Sequence, residues 1–179
     1  MNKNRMEYKY VKKYKSMTQK EMYTLVHEIY IESCTENAME NDPDASDLTA
    51  AIRQEEDSFV LFLQNFFSSP KNTYYVLEKD GAPVSAARLT SCEGFYYLEA
   101  LETPPIYRKM GYASQLLKEI IAYLHTQGPV DIRDCVNKTN AASLATHKKC
   151  GFVLAEENGI YYPSGTVNPK TYGMRYTIQ

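Results

Sequence analysis

The stretch Arg108-Lys109-Met110-Gly111-Tyr112-Ala113-Ser114 lies between a strand-like segment, residues 95–103, and a leucine-rich helical pattern. The first turn of a helix has backbone N–H groups without partners and carries the positive end of the helix dipole. Glycine and small residues let a phosphate approach such a backbone closely. The stretch therefore predicts a cradle for a pyrophosphate. Taken alone, Gly111 and Arg108 also fit an ordinary turn that carries a solvated charge.

The segments around this cradle predict one mixed α/β domain over residues 1–179. Thr18 and Glu21 have the spacing of a capping box, ahead of a first helix expected to end near Ser33. A polar loop is expected over 37–47, and Asp80-Gly81 is a hairpin signal. The other predicted helices cover 48–67, 112–126 and a short segment after Asn140, and the predicted strands cover 8–15, 73–79, 83–91, 95–103, 130–135, 152–155 and 172–177.

A second motif lies downstream in Asn140-Ala141-Ala142-Ser143-Leu144-Ala145-Thr146-His147-Lys148-Lys149-Cys150-Gly151-Phe152. With the first motif, it resembles the GNAT family, the GCN5-related N-acetyltransferases. Arg108, Gly111 and Ala113 fill a pattern similar to the family's R/Q-x-x-G-x-G/A signature. Asn140, Ser143, Lys149, Gly151 and Phe152 fill the family's next motif, in the family's order and spacing. The strongest match covers residues 73–155, and it implies a central mixed, mostly antiparallel sheet flanked by helices.

The resemblance implies acetyl-CoA as co-substrate and assigns expected roles to residues. The backbone from Lys109 to Ala113, with Met110, Gly111 and Tyr112 between them, would hold the pyrophosphate. Arg108 would add charge, and Ser114 is either a further phosphate contact or a surface hydroxyl. The backbone of Leu101 and Thr103 would pair with the pantetheine. Asn140 and Ser143 are expected cofactor contacts, although Asn140 also fits a helix N-cap.

Two side chains are candidates for proton transfer. Glu99 is expected to share a strand face with Leu101 and Thr103 by period two, with Glu102 on the other face. It would receive the amine proton through water, or else be a salt-bridged strand residue. His147 occupies the position where the family often has a tyrosine, and it would protonate the leaving thiolate or be a structural histidine.

Composition excludes several other classes. A net charge of −2 gives no nucleic-acid footprint, and no apolar run is long enough to span a membrane. Neither a P-loop nor a dinucleotide-binding glycine motif is present. The four cysteines lack zinc-binding spacing, so no metal is expected. Without a signal-peptide pattern, we expect reduced thiols and a cytoplasmic protein.

The acceptor is predicted only as a class, a primary amine of a small molecule or a protein. A run of acidic residues opposed only by Arg53 would favour a cationic amine, or it would simply form solvated helix faces. An alternative function is a GNAT-like domain that binds acyl-CoA or a partner without turnover. A homodimer through the C-terminal strands is a family expectation. The acidic run comprises Glu21, Glu28, Glu32, Glu36, Glu40, Asp42, Asp44, Asp47, Glu55, Glu56 and Asp57.

Overall fold

The computed structural model describes residues 11–179 as one central sheet with helices on both faces. Seven strands follow the order β1-β2-β3-β4-β5-β9-β6, and a separate hairpin pairs β7 with β8. Every pairing is antiparallel except β4 with β5, which is parallel. The elements are β1 Val11–Tyr14, α1 Gln19–Asn41, α2 Leu48–Phe67, β2 Asn72–Lys79, β3 Ala82–Ser91, β4 Tyr96–Glu102, α3 Tyr112–His125, β5 Val130–Asn137, α4 Ala141–Lys149, β6 Val153–Glu156, β7 Gly159–Tyr161, β8 Thr166–Asn168 and β9 Thr171–Ile178.

This architecture confirms the predicted mixed, mostly antiparallel sheet flanked by helices. The capping box is present, because Thr18 Oγ1 accepts from the Glu21 backbone while the Glu21 carboxylate accepts from the Thr18 backbone. The second helix has its predicted bounds. The predicted N-terminal strand extends beyond the described residues, which contain its part from Val11 to Tyr14.

The first helix is longer than the sequence predicts. It continues to Asn41, because Cys34 and Ala38 extend the buried face of Tyr30 at intervals of four residues. The side chains of Cys34 and Ala38 are small, so the apolar periodicity of this part of the helix is weak in the sequence. The helix ends where Asp42 precedes a proline, and a residue in that position disfavours helical backbone angles. The predicted loop over 37–47 therefore shrinks to the segment between the two helices.

Two hydrophobic clusters fix the layers. One joins α1 and α2 to one face of β2 and β3, around Ile29, Leu63 and Tyr74. The other joins α3 to the opposite face, around Leu116 and Ile120, and includes Phe152 just after α4. Within residues 11–179, no helix is long and apolar enough to cross a membrane.

Candidate active site

The parallel strands β4 and β5 separate soon after they meet. Their pairing is limited to Tyr96 with Ile132 and Tyr97 with Arg133, although β4 continues to Glu102 and β5 to Asn137. Beyond the last pair, the facing edges of β4 and β5 are not paired with each other, and a gap separates them. Such a gap offers unpaired backbone groups to an extended ligand, which could add to β4 as a further strand would.

The start of α3 completes this opening. Gly111 is the N-cap, has φ +86°, and supplies no capping side chain. The first helical hydrogen bond runs from the Gln115 N–H to the Gly111 carbonyl, so the amides of Tyr112, Ala113 and Ser114 have no partner within the helix. Lys109 also has a positive φ, +63°. A turn with positive φ at Lys109 and Gly111, followed by amides without partners in the helix, is the backbone arrangement that suits an anion, and the predicted phosphate contact stays a prediction.

A bulge in β4 changes which side chains share a face. Arg88 faces Glu99 and Ala86 faces Glu102, so β4 has one more residue than β3 between these pairs. The extra residue lies at Ala100, whose φ is +51°. Residues opposite each other in a sheet point to the same side, and Ala86 and Arg88 share a face of β3. Glu99 and Glu102 therefore lie on the same face, and Leu101 lies on the other, packed against the α3 cluster.

This result corrects the predicted alternation, which had placed Glu99 with Leu101 and Glu102 opposite. A period of two assumes an uninterrupted strand, and the bulge shifts it by one residue. The bulge is anchored from α1, because the Tyr30 hydroxyl donates to the Ala100 carbonyl at 3.0 Å and accepts from the Tyr74 hydroxyl at 2.6 Å. No local sequence pattern indicates this buried tyrosine pair.

Glu99 lies beside Arg88, with Oε1 of the glutamate 3.0 Å from Nε of the arginine. The two side chains are 16% and 15% exposed, respectively. Burial raises the pKa of Glu99 above its ordinary value, while the positive charge of Arg88 opposes this shift. The Arg88 guanidinium also stacks on Phe62 of α2, 4.4 Å from the ring centre. Glu99 is thus a salt-bridged strand residue, which was the second of the two predicted roles. Its pKa nevertheless stays above the ordinary value for a glutamate.

The face that carries Glu99 is bordered by aromatic rings that the sequence analysis did not single out. Tyr97 of β4 lies on the same side of the strand, and its ring meets Tyr161 of β7 edge-on at 5.6 Å. The charge of Glu99 contributes to a raised pKa of Tyr161, after burial. The sequence predicts no strand between residues 155 and 172, where the β7–β8 hairpin forms and brings Tyr161 to this face.

His147 is sealed inside the protein. Its side chain is 1% exposed, Nε2 lies 2.7 Å from Oδ2 of Asp134, and Nδ1 lies 2.8 Å from the carbonyl oxygen of Ser143. Burial by itself would lower the pKa of His147, but the hydrogen bond and charge of Asp134 outweigh it, so the pKa is raised. Neither ring nitrogen is free to reach a thiolate. This geometry favours a structural role over the predicted general-acid role.

Arg108 is directed away from the cradle. Its guanidinium binds both carboxylate oxygens of Glu32 in α1, and it reaches Oε1 of Glu102 at 3.2 Å. Its Nε donates to the carbonyl of Thr103 at 3.0 Å. The hydrogen bonds to Glu32 are the largest cause of a raised Arg108 pKa. Arg108 thus neutralises two carboxylates next to the cradle, and the predicted phosphate contact would require it to leave them.

The other residues predicted to contact the cofactor differ in whether their polar groups already have hydrogen-bond partners. The Thr103 N–H donates to the Glu102 side chain at 3.1 Å, so the Thr103 backbone is engaged on both sides. Leu101 lies in the bulge and has no paired residue on β3 or β5. Asn140 is the N-cap of α4 and accepts from the Ser143 N–H at 2.9 Å. Ser114 is 9% exposed at the start of α3.

Six members of the acidic run have structural partners. Five of these partners lie in or directly before α1 or α2, and the sixth is Arg108, which follows β4. For these six residues, the contacts support the alternative of ordinary helix faces. Examples are Asp57, which accepts from the Tyr23 hydroxyl at 2.6 Å, and Glu56, which lies 2.8 Å from Nδ1 of His27. The other four are Glu21, Glu32, Asp47 and Glu55.

Comparison with known proteins identifies the family. The family model described as acetyltransferase (GNAT) family matches residues 25–152. This chain belongs to the GNAT acetyltransferase family, as its two motifs indicate. No curated protein matches the chain in sequence.

Solved structures agree on the fold. A PaiA N-acetyltransferase from Thermoplasma acidophilum in complex with coenzyme A is 16% identical, with a TM-score of 0.62 over 94% of this chain and 99% of its own. The ribosomal-protein-S18-alanine N-acetyltransferase of Escherichia coli is 16% identical, with a TM-score of 0.61 over 94% of both chains. A Bacillus subtilis acetyltransferase in complex with CoA is 13% identical, with a TM-score of 0.60 over 95% of this chain and 99% of its own. At these identities the likeness establishes the fold alone.

Proposed function

We propose that this protein transfers an acetyl group from acetyl-CoA to a primary amine of a small molecule or a protein. The observation that carries the proposal is the separation of β4 from β5 after Tyr97, together with the amides at the start of α3 that have no helical partner. Amides at a helix start suit a pyrophosphate, and an unpaired strand edge suits a chain with two amides. Acetyl-CoA has both parts in one molecule, and family membership supports this choice of donor.

The bulge would supply the groups that polarise the thioester. Ala100 and Leu101 face no residue on β3 or β5, so their amides are candidates to donate to the carbonyl oxygen of the acetyl group. Negative charge develops on that oxygen as the amine attacks, and fixed N–H donors stabilise it without reorganisation. The hydrogen bond from Tyr30 to the Ala100 carbonyl fixes this peptide in place.

Glu99 would receive the proton that the amine releases. A primary amine is protonated at neutral pH and must lose a proton before it attacks, and a carboxylate with a raised pKa accepts one more readily. The transfer would run through water. Arg88 opposes the rise in the Glu99 pKa and so favours the ionised carboxylate that can accept a proton. Cleavage of the carbon–sulfur bond then leaves CoA thiolate, which takes a proton and departs.

His147 and Asp134 would position rather than react. Their hydrogen bond ties α4 to β5 on the α3 side of the sheet, next to the gap. We therefore expect His147→Gln to lower the stability of the protein. The turnover per folded molecule should stay within about threefold of wild type, because loss of an acid catalyst usually lowers turnover by about 100-fold or more. A loss of 100-fold or more in a folded variant would restore the general-acid role.

The first test is binding followed by turnover. Calorimetry should give micromolar-range affinity for acetyl-CoA and CoA and a much weaker signal for ATP. Thiol release is then measured over a panel of amines that includes polyamines, aminoglycosides and N-terminal peptides, at low and high salt. A strong dependence of KM on salt would support a cationic acceptor. Absence of CoA binding would refute the proposal.

Glu99→Gln separates an enzyme from a binding domain. We expect this variant to retain acetyl-CoA affinity and to lose turnover by about 100-fold, the usual range for a general base. The matched control is Glu93→Gln, an exposed glutamate in the turn before β4. If wild type binds acetyl-CoA yet acetylates no amine of the panel, the alternative of a non-catalytic acyl-CoA-binding domain is favoured.

A further inference from the structure

A second concavity lies at the opposite end of the sheet from the cradle. It is a groove of about 440 Å³ between the edge strand β1 and the C-terminal end of α3. Tyr123, in the last turns of α3, borders the groove, whereas Gly111 marks the cradle at the other end of the helix. At 1.5 Å per residue, the two places are roughly 18 Å apart along the axis. The groove is therefore separate from the acetyl-transfer site.

Three lysines surround this groove, and none of its lining residues is acidic. Lys13 belongs to the edge strand β1, Lys15 directly follows that strand, and Lys71 lies in the turn before β2. Within residues 11–179, none of the three forms an ion pair with a carboxylate. By contrast, Lys12 of the same strand pairs with Glu78 at 2.8 Å. Of the two lysines within β1, only Lys13, which lines the groove, is without an ion pair in the described residues.

Neutral groups hold two of these ammonium groups in place. Lys15 donates to the carbonyl oxygens of Pro70 at 2.8 Å and Asn72 at 3.1 Å, and Lys13 donates to the Tyr123 hydroxyl at 2.8 Å. Burial, followed by the charge of Lys13, lowers the pKa of Lys15. These contacts orient the side chains but cancel no charge. The electrostatic potential at the groove is therefore positive, and it attracts anions.

Two ordinary roles account for part of this arrangement. Lysines on an edge strand discourage strand addition, and cations near a helix C-terminus interact well with its dipole. Neither role requires Lys71, which belongs to no strand or helix, and neither requires the lysines to surround a concave surface. Tyr75, Tyr96 and Tyr123 add aromatic area to that surface. Charge and shape together fit a ligand with an anionic group and a flat apolar part.

We propose that this groove binds a small organic anion that carries at least two negative charges and a planar apolar group. The lysines would contact the oxyanion, and the tyrosine rings would contact the planar part. A phosphate monoester and an aromatic polycarboxylate share this chemistry. The volume is within the range of small-molecule sites, which begins at about 300 Å³.

The test uses phenyl phosphate and benzene-1,3,5-tricarboxylate as probes for the two sources, titrated into the full protein by calorimetry. Phenol and inorganic phosphate each lack one of the two features. We expect at least one probe to bind tenfold more tightly than both of these. The double variant Lys13→Gln/Lys71→Gln should weaken that binding at least tenfold.

Two controls identify the place of binding. Lys12→Gln removes a charge from the same strand outside the groove, and Lys109→Gln removes one from the cradle; neither should change the affinity of the probes. Equal loss in Lys12→Gln would show a general charge effect and overturn the proposal, as would loss in Lys109→Gln. Binding of a nucleic acid with no binding of either probe would also overturn it. None of these outcomes depends on acetyl transfer.

Discussion

The buried pair of His147 and Asp134 allows a quantitative prediction. Asp134 is 7% exposed and His147 is 1% exposed, and their side chains meet at 2.7 Å. Substitution of His147 by Ala leaves the Asp134 carboxyl buried without its partner. Removing one member of a buried pair costs about 3–5 kcal/mol. For a protein of this size, about 2–4 °C of Tm corresponds to each kcal/mol, so we expect Tm to fall by roughly 6–20 °C.

The assay is thermal and urea unfolding of four proteins: wild type, His147→Ala, Asp134→Ala and the double variant. Because both single variants lose the same hydrogen bond, the double variant should lose less stability than their sum, by about 0.5–3 kcal/mol. The matched control is His125→Ala, an exposed histidine at the end of α3, with an expected loss below about 1 kcal/mol. Strictly additive losses, or a His147→Ala protein as stable as the control, would refute this account of the pair.

Three further predictions follow from the described contacts. Folding raises the pKa of His147 above its ordinary value of 6.5. The charged imidazole therefore stabilises the fold fully below pH 6.5, and this contribution is lost as pH rises through the folded pKa. The Tm difference between wild type and His147→Gln should accordingly shrink from about pH 6 to pH 9. Arg108→Gln should lower stability by less than about 1 kcal/mol. It should also weaken CoA binding, measured by calorimetry, because Glu32 and Glu102 lose the charge that neutralises them. Adding Glu32→Gln should partly restore the affinity, and no rescue would favour a direct phosphate contact by Arg108. In Gly111→Ala, the added Cβ meets no atom within 4 Å, but the alanine must keep φ at +86°. We expect this strain to lower the free energy of unfolding in urea by about 1–2 kcal/mol and to weaken acetyl-CoA binding. An unchanged urea midpoint would contradict the backbone strain.

Sequence patterns predicted the elements whose signals are local. The capping box at Thr18 and Glu21 marked the start of α1, and the apolar spacing of α2 and α3 gave their positions almost to the residue. Gly111 marked the start of α3 because few other residues adopt its backbone angles. The two motifs identified the family, which the match over residues 25–152 confirms.

The roles of individual side chains depended on contacts between distant segments. Arg108 binds Glu32, which lies 76 residues away, and this pairing redirects a charge that the sequence assigns to phosphate. His147 meets Asp134 across two elements, and no spacing rule connects them. The predicted roles of the cofactor contacts stay predictions, to be tested by binding.

By itself, the sequence determined the family, the order of the elements apart from the β7–β8 hairpin, and the start of α3 at Gly111, because caps, glycines and apolar periodicity act within a few residues. The tertiary structure alone decided which carboxylates share a face, since the bulge at Ala100 depends on Tyr30 and Tyr74 from other elements. It also decided that His147 is sealed and that three lysines surround one groove. Burial and charge pairing arise only when remote segments pack together, and these two effects set the chemistry of each side chain.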